Sequence, residues 1–327
     1  RANTFQIPPG NSLGGEPLLV QPKFQSSATS PPATVTAKLR EDLHWTARQS
    51  FTTSGAVRWT NFKMGSVNHL AVANHWNGTS YALNSTIYRE VDGRFMEFQN
   101  ISTKGANDIE YFAADGKHFL LVANYYDDEI MTHNTTSNLY VFNPALDRFE
   151  FHSSIWTHGA VDWESFTVSG TLYLAVANFE GRPEGNMLKN VNSEVYSWTN
   201  GRLVPHSSLD TKGASHLKVF VSSGLTYLCA ANTFDWELRT FSTMAQLYLW
   251  SGGRFQQAQT FPTTGATRCK HRFHNGKNQL FIVNRLSTAV SLEMGASIFT
   301  SPTGSSTYTA DGTIRGGGLG LFFFCPH

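Results

Sequence analysis

Ten polar residues in this chain stand where they could do chemistry together. Three residues after each of five Gly-Ala dipeptides come Arg58, Asp108, Asp162, His216 and Arg268, and two further on come Thr60, Glu110, Glu164, Lys218 and Lys270. A spacing of two places both members of a pair on one face of a β-strand. If neighbouring units share an axis, Asp108, Glu110, Asp162 and Glu164 converge as four carboxylates, a donor set suited to Ca2+ or to a cationic ligand. Arg58, Lys218 and Lys270 stand in the same registers, so the opposing expectation is a self-neutralising polar lining. Seven residues define the candidate ligand site: Arg58, Asp108, Glu110, Asp162, Glu164, His216 and Arg268.

The run Cys269-Lys-His271-Arg-Phe-His274 has metal-ligand residue types. On a strand, residues 269 and 271 share a face while 274 points away, so the three do not meet at one ion, and no metal is expected there. No nucleophile elbow, zinc-protease helix or phosphate-binding loop occurs in the sequence. No catalytic residue is therefore assigned, and no cofactor is expected beyond the Ca2+ just considered.

A second cluster lies in segments that follow a recurring Asn: His75–Asn84, Tyr125–Asn134, Phe179–Asn190 and Thr233–Phe241. These segments differ in length and charge and carry Trp76, Tyr81, Tyr125, Tyr126 and Trp236. Aromatic rings with polar neighbours suit a protein interface or the stacking of a sugar, and they also serve as packing anchors under long loops.

Both clusters are positioned by a repeat. The Gly-Ala pairs begin at Gly55, Gly105, Gly159, Gly213 and Gly265, separated by 50, 54, 54 and 52 residues. Fifteen residues after each Gly stands a Leu (Leu70, Leu120, Leu174, Leu228, Leu280), and nineteen after it an Asn (Asn74, Asn124, Asn178, Asn232, Asn284). A fixed inner distance with variable outer spacing describes a rigid hairpin followed by a loop that tolerates insertion. An aromatic-bearing strand comes next, around Tyr88, Tyr140, Tyr196, Tyr248 and Phe299. Turns such as Asp92-Gly93, Asn200-Gly201 and Gly252-Gly253 then lead into a last strand, because primed turns need positive φ. About fifty residues per four-stranded unit is the period of a β-propeller blade. The expected fold is all-β, a propeller of six blades within a range of five to seven. The sixth would be a composite: Ala33–Gln49, with Trp45 ten residues before Gly55 as Phe95 is before Gly105, joined by two strands from Gly312–Cys325. Residues 1–33, rich in Pro, Gly and Ser, read as an arm or linker, and 34–327 as the propeller.

The phrases QSFTTSGAVRWTNF (Gln49–Phe62), QNISTKGANDIEYF (Gln99–Phe112) and HGAVDWESFTVSGTLYLAVAN (His158–Asn178) resemble the epilepsy-associated or EPTP repeat. The resemblance covers roughly residues 43 to 300 and holds in five registers. It implies a propeller of the kind found in leucine-rich glioma-inactivated proteins, where seven blades bind receptor ectodomains. The chain departs from that pattern: no leucine-rich domain precedes the repeats, five are clear, and the fifth carries Cys269 where others have Trp.

Composition agrees with a strand-rich extracellular protein. Charged residues make up 15%, and the formal net charge is +1, which offers no field for nucleic acid or an anionic membrane. The Phe-rich tail is too short to span a bilayer. The chain opens at Arg1 with no charged-then-apolar leader, so a signal peptide is expected to have been removed or left out. Four Asn-x-Ser/Thr sequons, at Asn77, Asn84, Asn100 and Asn134, make it a candidate glycoprotein, three of them falling between predicted strands. Cys229, Cys269 and Cys325 allow one pair at most and no disulfide framework, and Cys229 reads as a small core residue. The expected function is a secreted, non-enzymatic propeller that binds an extracellular or cell-surface protein through its rim or channel mouth. The alternatives are a lectin-like glycan binder and an enzyme with its site in the channel.

Overall fold

Five four-stranded antiparallel sheets follow one another along the chain, each a meander whose sequence neighbours are hydrogen-bonded neighbours. They occupy residues 56–104, 106–158, 160–209, 214–264 and 266–317, and we call them blades one to five. The computed structural model describes residues 2–7, 21–22, 48–181, 189–288, 291–302 and 305–317. The innermost strands, Ala56–Met64, Ala106–Ala114, Ala160–Val168, Ala214–Ser222 and Ala266–His274, pack against one another in that order. The fold is a β-propeller. Among the described residues no helix is long and apolar enough to cross a membrane.

The repeat landmarks have physical causes. Each Gly of a Gly-Ala pair has positive φ, between 52 and 70°. Its carbonyl accepts the N–H of the residue just after the repeat Asn, from His75 to Gly55 (2.9 Å) through Arg285 to Gly265 (2.8 Å). A Cβ at Gly55 or Gly213 would overlap the carbonyl oxygen of Trp76 or Phe234. The repeat Asn side chain is a clamp. In blades one to four its Nδ2 donates to a backbone carbonyl in or just before the third strand, as from Asn124 to Thr136 O (2.8 Å) and Asn178 to Asn192 O (2.9 Å), and in blade five Asn284 Nδ2 donates to Ser297 Oγ (3.1 Å). In blades two, three and four its Oδ1 accepts the N–H of Lys104, His158 or Lys212, just before the Gly. Hydroxyl pairs cross-link the outer two strands: Ser85 with Thr103, Ser137 with Thr157, Ser193 with Thr211 and Thr243 with Thr263. The hairpin turns have positive φ at both central residues, as read from sequence (Asp92 49°, Gly93 74°; Asn200 52°, Gly201 78°).

Blades pack face to face through complementary pairs. Four interfaces bring the residue sixteen after one Gly to the residue four after the next: Ala71 with Ile109, Leu121 with Trp163, Ala175 with Leu217, and Cys229 with Cys269. The first three are hydrophobic and size-matched, small against large or large against larger. The fourth is a disulfide between blades four and five. Cys229 is thus buried, as expected, and also cross-linked, which its sequence environment does not reveal. At the outer edge a Gln brackets the backbone of the following blade: Gln49 to Phe95, Gln99 to Phe149 and Gln259 to Tyr308, each donating to a carbonyl and accepting an N–H. Blades two and three carry Ser153 and Ser207 at this register instead.

Gln49–Ser54 is an outermost strand of this kind, and Phe51 packs on Leu70, Val72 and Tyr88 of blade one. It pairs antiparallel with Ala2–Ile7, Phe5 opposite Phe51, and Gln21–Pro22 adds a third strand. Trp45 and the rest of 33–47 lie outside the described residues. At the other end the structure corrects the expected composite. Thr309–Gly317 is the outermost strand of blade five, with Gly312 opposite Ile298, and so does not follow that blade. The fifth repeat lacks the Gly-Arg turn that marks this strand in blades one, three and four; residues 318–325 lie outside the described residues.

Two stability outcomes follow. Gly213→Ala should cost well beyond the ~1–2 kcal/mol of a left-handed non-glycine residue, whereas Gly65→Ala, with no atom near its Cβ, should cost only that amount. Urea denaturation of the two variants checks the difference. Replacing Cys229 and Cys269 by Ala should lower stability by about 3–4 kcal/mol for a closed loop of this length, and non-reducing peptide mapping should recover the Cys229–Cys269 pair from the wild-type protein.

Candidate functional site

The innermost strands bring the channel residues together, and their first use is to tie blades to each other. The edge of each inner strand that faces the axis leaves N–H groups unmatched by its own sheet. Asp108 Oδ2 accepts the Trp163 N–H (3.1 Å), Asp162 Oδ2 accepts that of Leu217 (2.6 Å), and His216 Nδ1 accepts that of Cys269 (3.5 Å). Two residues further along, Glu110 accepts from Ser165 N–H (2.8 Å) and Glu164 from Val219 N–H (3.0 Å). The side chain of one blade thus satisfies the backbone of the next.

Charge compensation completes the lining. Arg58 reaches both Asp108 (3.2 Å) and Asp162, spanning blades one to three, and Lys218 Nζ donates to Glu164 (2.7 Å). Burial opposes the charge on Arg58, but Asp162 and Asp108 outweigh it and hold the guanidinium firmly protonated. Burial also lifts the Asp108 carboxyl against the pull of Arg58. Glu110 is pushed up to about 8 by burial, reinforced by Asp108 and Glu164. Burial, then Arg58, Arg268 and Lys218, keep His216 neutral, and burial with Arg58 lowers Arg268 to about 10. All seven sequence-derived channel residues therefore line the inner strands together, Asp108 and Asp162 buried and the other five half-buried, with Arg268 coupled to Arg58, Asp162 and Asp108 through charge. Among the described residues no group of three or more His, Cys, Asp or Glu is arranged to hold a metal ion, and a cation between Asp108 and Asp162 would have to displace Arg58.

The five rim aromatics also come together, as parts of a belt. Tyr81 stacks near Trp76 (centroids 6.0 Å) and Tyr126 (4.9 Å); His133 links Tyr126 to Tyr125; Phe179 links Tyr125 to Trp236 (5.7 Å). Tyr125 donates its hydroxyl to buried Glu180, which His133 also approaches (3.1 Å). Trp236 donates Nε1–H to Phe179 O (3.0 Å). Of the five, Trp76 alone is exposed, at 48%, and the others are half-buried.

The residues this belt supports were not singled out by sequence. Ile130 (60% exposed), Met131 (71%) and Leu238 (72%) stand at the tips of the loops in blades two and four. These loops share one construction. Asp127 and Asp235 are buried, each paired with the Lys before the repeat Gly (Lys104 at 2.5 Å, Lys212 at 2.7 Å). Each accepts the N–H of the Glu two residues on and bridges to a Thr (Thr132, Thr240). Met131 and Arg239 then take positive φ of 52°. The signal in sequence is a shared Asp-x-Glu-[Ile/Leu]-x-Thr, in DDEIMT and DWELRT.

The sequons lie differently from expectation. Asn77 is in a loop, but Asn84 and Asn100 are within strands and Asn134 begins one. Asn84 and Asn100 are nevertheless exposed, because their side chains stand on the outer part of a blade face.

Residues 94–143 and 148–199 match the EPTP domain model. The thrombospondin-type laminin G domain and EAR repeat-containing protein of Mus musculus is 34% identical over 174 residues, 53% of this chain and 25% of that protein. Its Homo sapiens counterpart is 39% identical over 132 residues, 40% of this chain and 19% of that protein. The chain thus spans about a quarter or less of the length of these relatives. Among solved structures, an exo-β-1,3-galactanase from Clostridium thermocellum superposes with a TM-score of 0.46 at 13% identity, over 79% of this chain and 61% of that one. A thermostable family-43 glycoside hydrolase gives 0.47 at 10%, over 81% and 96%. Likenesses at this level say nothing about chemistry.

The Glu110 carboxyl predicts a pH dependence. Between the ordinary glutamate value of 4.5 and about 8 the folded protein holds a proton that the unfolded chain has released. The folded state then binds more protons, so stability falls as pH rises through this window. Glu110→Gln keeps an oxygen acceptor for Ser165 and removes the titration. Its melting temperature, relative to wild type, should rise in the variant's favour between about pH 5 and pH 8; parallel profiles would overturn the assignment.

Proposed function

Because the chain carries EPTP repeats on a β-propeller, we propose that it is a secreted, non-enzymatic module that docks an extracellular protein through its rim. The observation that carries this reading is the set of large apolar side chains, Trp76, Ile130, Met131 and Leu238, exposed on loops whose backbones are fixed. An apolar group held still before binding loses little entropy when a partner covers it. Glu129 and Glu237 are exposed beside Ile130 and Leu238, so the complementary surface combines apolar pockets with basic groups. The channel favours binding over catalysis, since its acids are engaged by backbone N–H groups, Arg58 and Lys218.

Secretion is supported by the Cys229–Cys269 disulfide, a bond that persists in oxidising compartments, and by the laminin G component in the relatives' name. Exposed Asn84 and Asn100 are the sequons best placed to accept glycans, while Asn134 is half-buried and bonds His158 (2.8 Å).

Binding of the secreted protein to a panel of extracellular ectodomains, measured by surface plasmon resonance, tests the rim. Ile130→Asp and Leu238→Asp should each weaken a captured partner by about 2 kcal/mol, the scale of an interface hot spot. Phe273→Asp, equally exposed but at the opposite end of the strands, should bind normally. Unchanged binding by both loop variants would refute the rim assignment.

A further inference from the structure

Between the outermost strand Gln49–Ser54 and the facing side of blade one runs a groove of about 530 Å³. Its lining is Thr52, Thr53, Ser54, Asn74, Leu83, Asn84, Thr86, Glu97 and Asn100. Eight of these nine residues carry hydroxyl, amide or carboxylate groups, and Leu83 is the one apolar member.

The floor of the groove has an unmet requirement. Asn74 is 3% exposed, and its Oδ1 accepts no hydrogen bond, although its Nδ2 donates to Asn84 O (2.8 Å). In blades two to four the same oxygen accepts the N–H before the repeat Gly. Asn284 Oδ1 in blade five shares the deficiency. A buried acceptor left without a donor is costly, so a ligand that brings a hydroxyl to Asn74 gains from meeting it. Higher up, Thr86 Oγ1 donates to Asn100 Oδ1 (2.7 Å) and Asn100 Nδ2 donates to Glu97 (2.6 Å), a polar wall that presents further acceptors. Its lining residues include no cationic group for a phosphate and no broad apolar wall for a lipid or a ring system. Neutral ligands dense in hydroxyls fit it.

We propose that this groove is a saccharide site, separate from the rim and independent of the protein-binding reading. Two sources share the chemistry. Two of its lining residues, Asn84 and Asn100, are sequon asparagines, so a glycan linked to the chain itself starts at the groove; a free or partner-borne glycan can reach it from solvent.

Saturation-transfer NMR on the whole chain distinguishes these outcomes, with N,N′-diacetylchitobiose and methyl α-mannoside as probes. The chain made without glycans in a disulfide-permissive bacterial host should transfer saturation to at least one probe at millimolar concentration. The Thr86→Val/Glu97→Ala double variant, whose side chains are at the surface, should retain its melting temperature and lose most of the transfer. The same chain from a secreting eukaryotic host locates the source. Blocked transfer there means that the protein's own glycan occupies the groove, and undiminished transfer means that the site serves an external saccharide. No transfer to the unglycosylated chain, or transfer that survives the double variant, overturns the proposal.

Discussion

The backbone edge that faces the propeller axis sets the terms for everything around it. An inner strand is paired on one side, and its N–H groups on the other must find acceptors away from bulk water. The chain solves this with side chains from the preceding blade: Asp108, Glu110, Asp162, Glu164 and His216 each accept an N–H one blade ahead. Importing acids to do this job buries negative charge, and Arg58 and Lys218 answer it. The polar lining, the raised carboxyl of Glu110 and the neutral state of His216 all descend from that single requirement.

Much of the fold was legible because the repeat obeys fixed internal distances. Gly55, Gly105, Gly159, Gly213 and Gly265 need positive φ, the Asn nineteen residues on is a clamp, and the Asp-Gly and Asn-Gly turns are primed, so the spacing carries the first two strands of all five blades, and the turns carry the fourth strand where they occur. The alternation of polar residues three and five after each Gly put Asp108, Glu110, Asp162, Glu164 and His216 on one face of the inner strands, where they accept N–H groups of the next blade. Arg58 standing between Asp108 and Asp162 was legible as residue types, but not as a contact that reaches across two blades.

What sequence missed depends on events between blades or outside the repeat's signature. Cys229 and Cys269 look unrelated at forty residues apart, yet in repeat coordinates they hold the positions of Leu121 and Trp163, and a comparison of those registers would have paired them. The loops were judged by their aromatics. Tyr125 and Trp236 turned out to be supports, fastened to Glu180 and Phe179, while Ile130 and Leu238, less conspicuous in composition, reach solvent. The outer strand of blade five lacked the Gly-Arg turn used to recognise its counterparts, and its residues were assigned elsewhere.

The Gln brackets at the outer edge are unevenly distributed. They fasten the strand before blade one to blade one, blade one to two and blade four to five, whereas at the next two junctions Ser153 and Ser207 hold that register and a histidine one residue earlier makes the contact: His152 Nε2 lies 2.9 Å from Gly201 O, and His206 stacks on Trp250 with ring centroids 5.7 Å apart. All five junctions between these neighbouring sheets are therefore fastened at the outer edge, by an amide where the chain keeps Gln and by an imidazole where it does not. A gap read in one register alone is thus a change of fastener displaced by one residue, so repeats of this kind are compared by the contact made and not by the column it occupies.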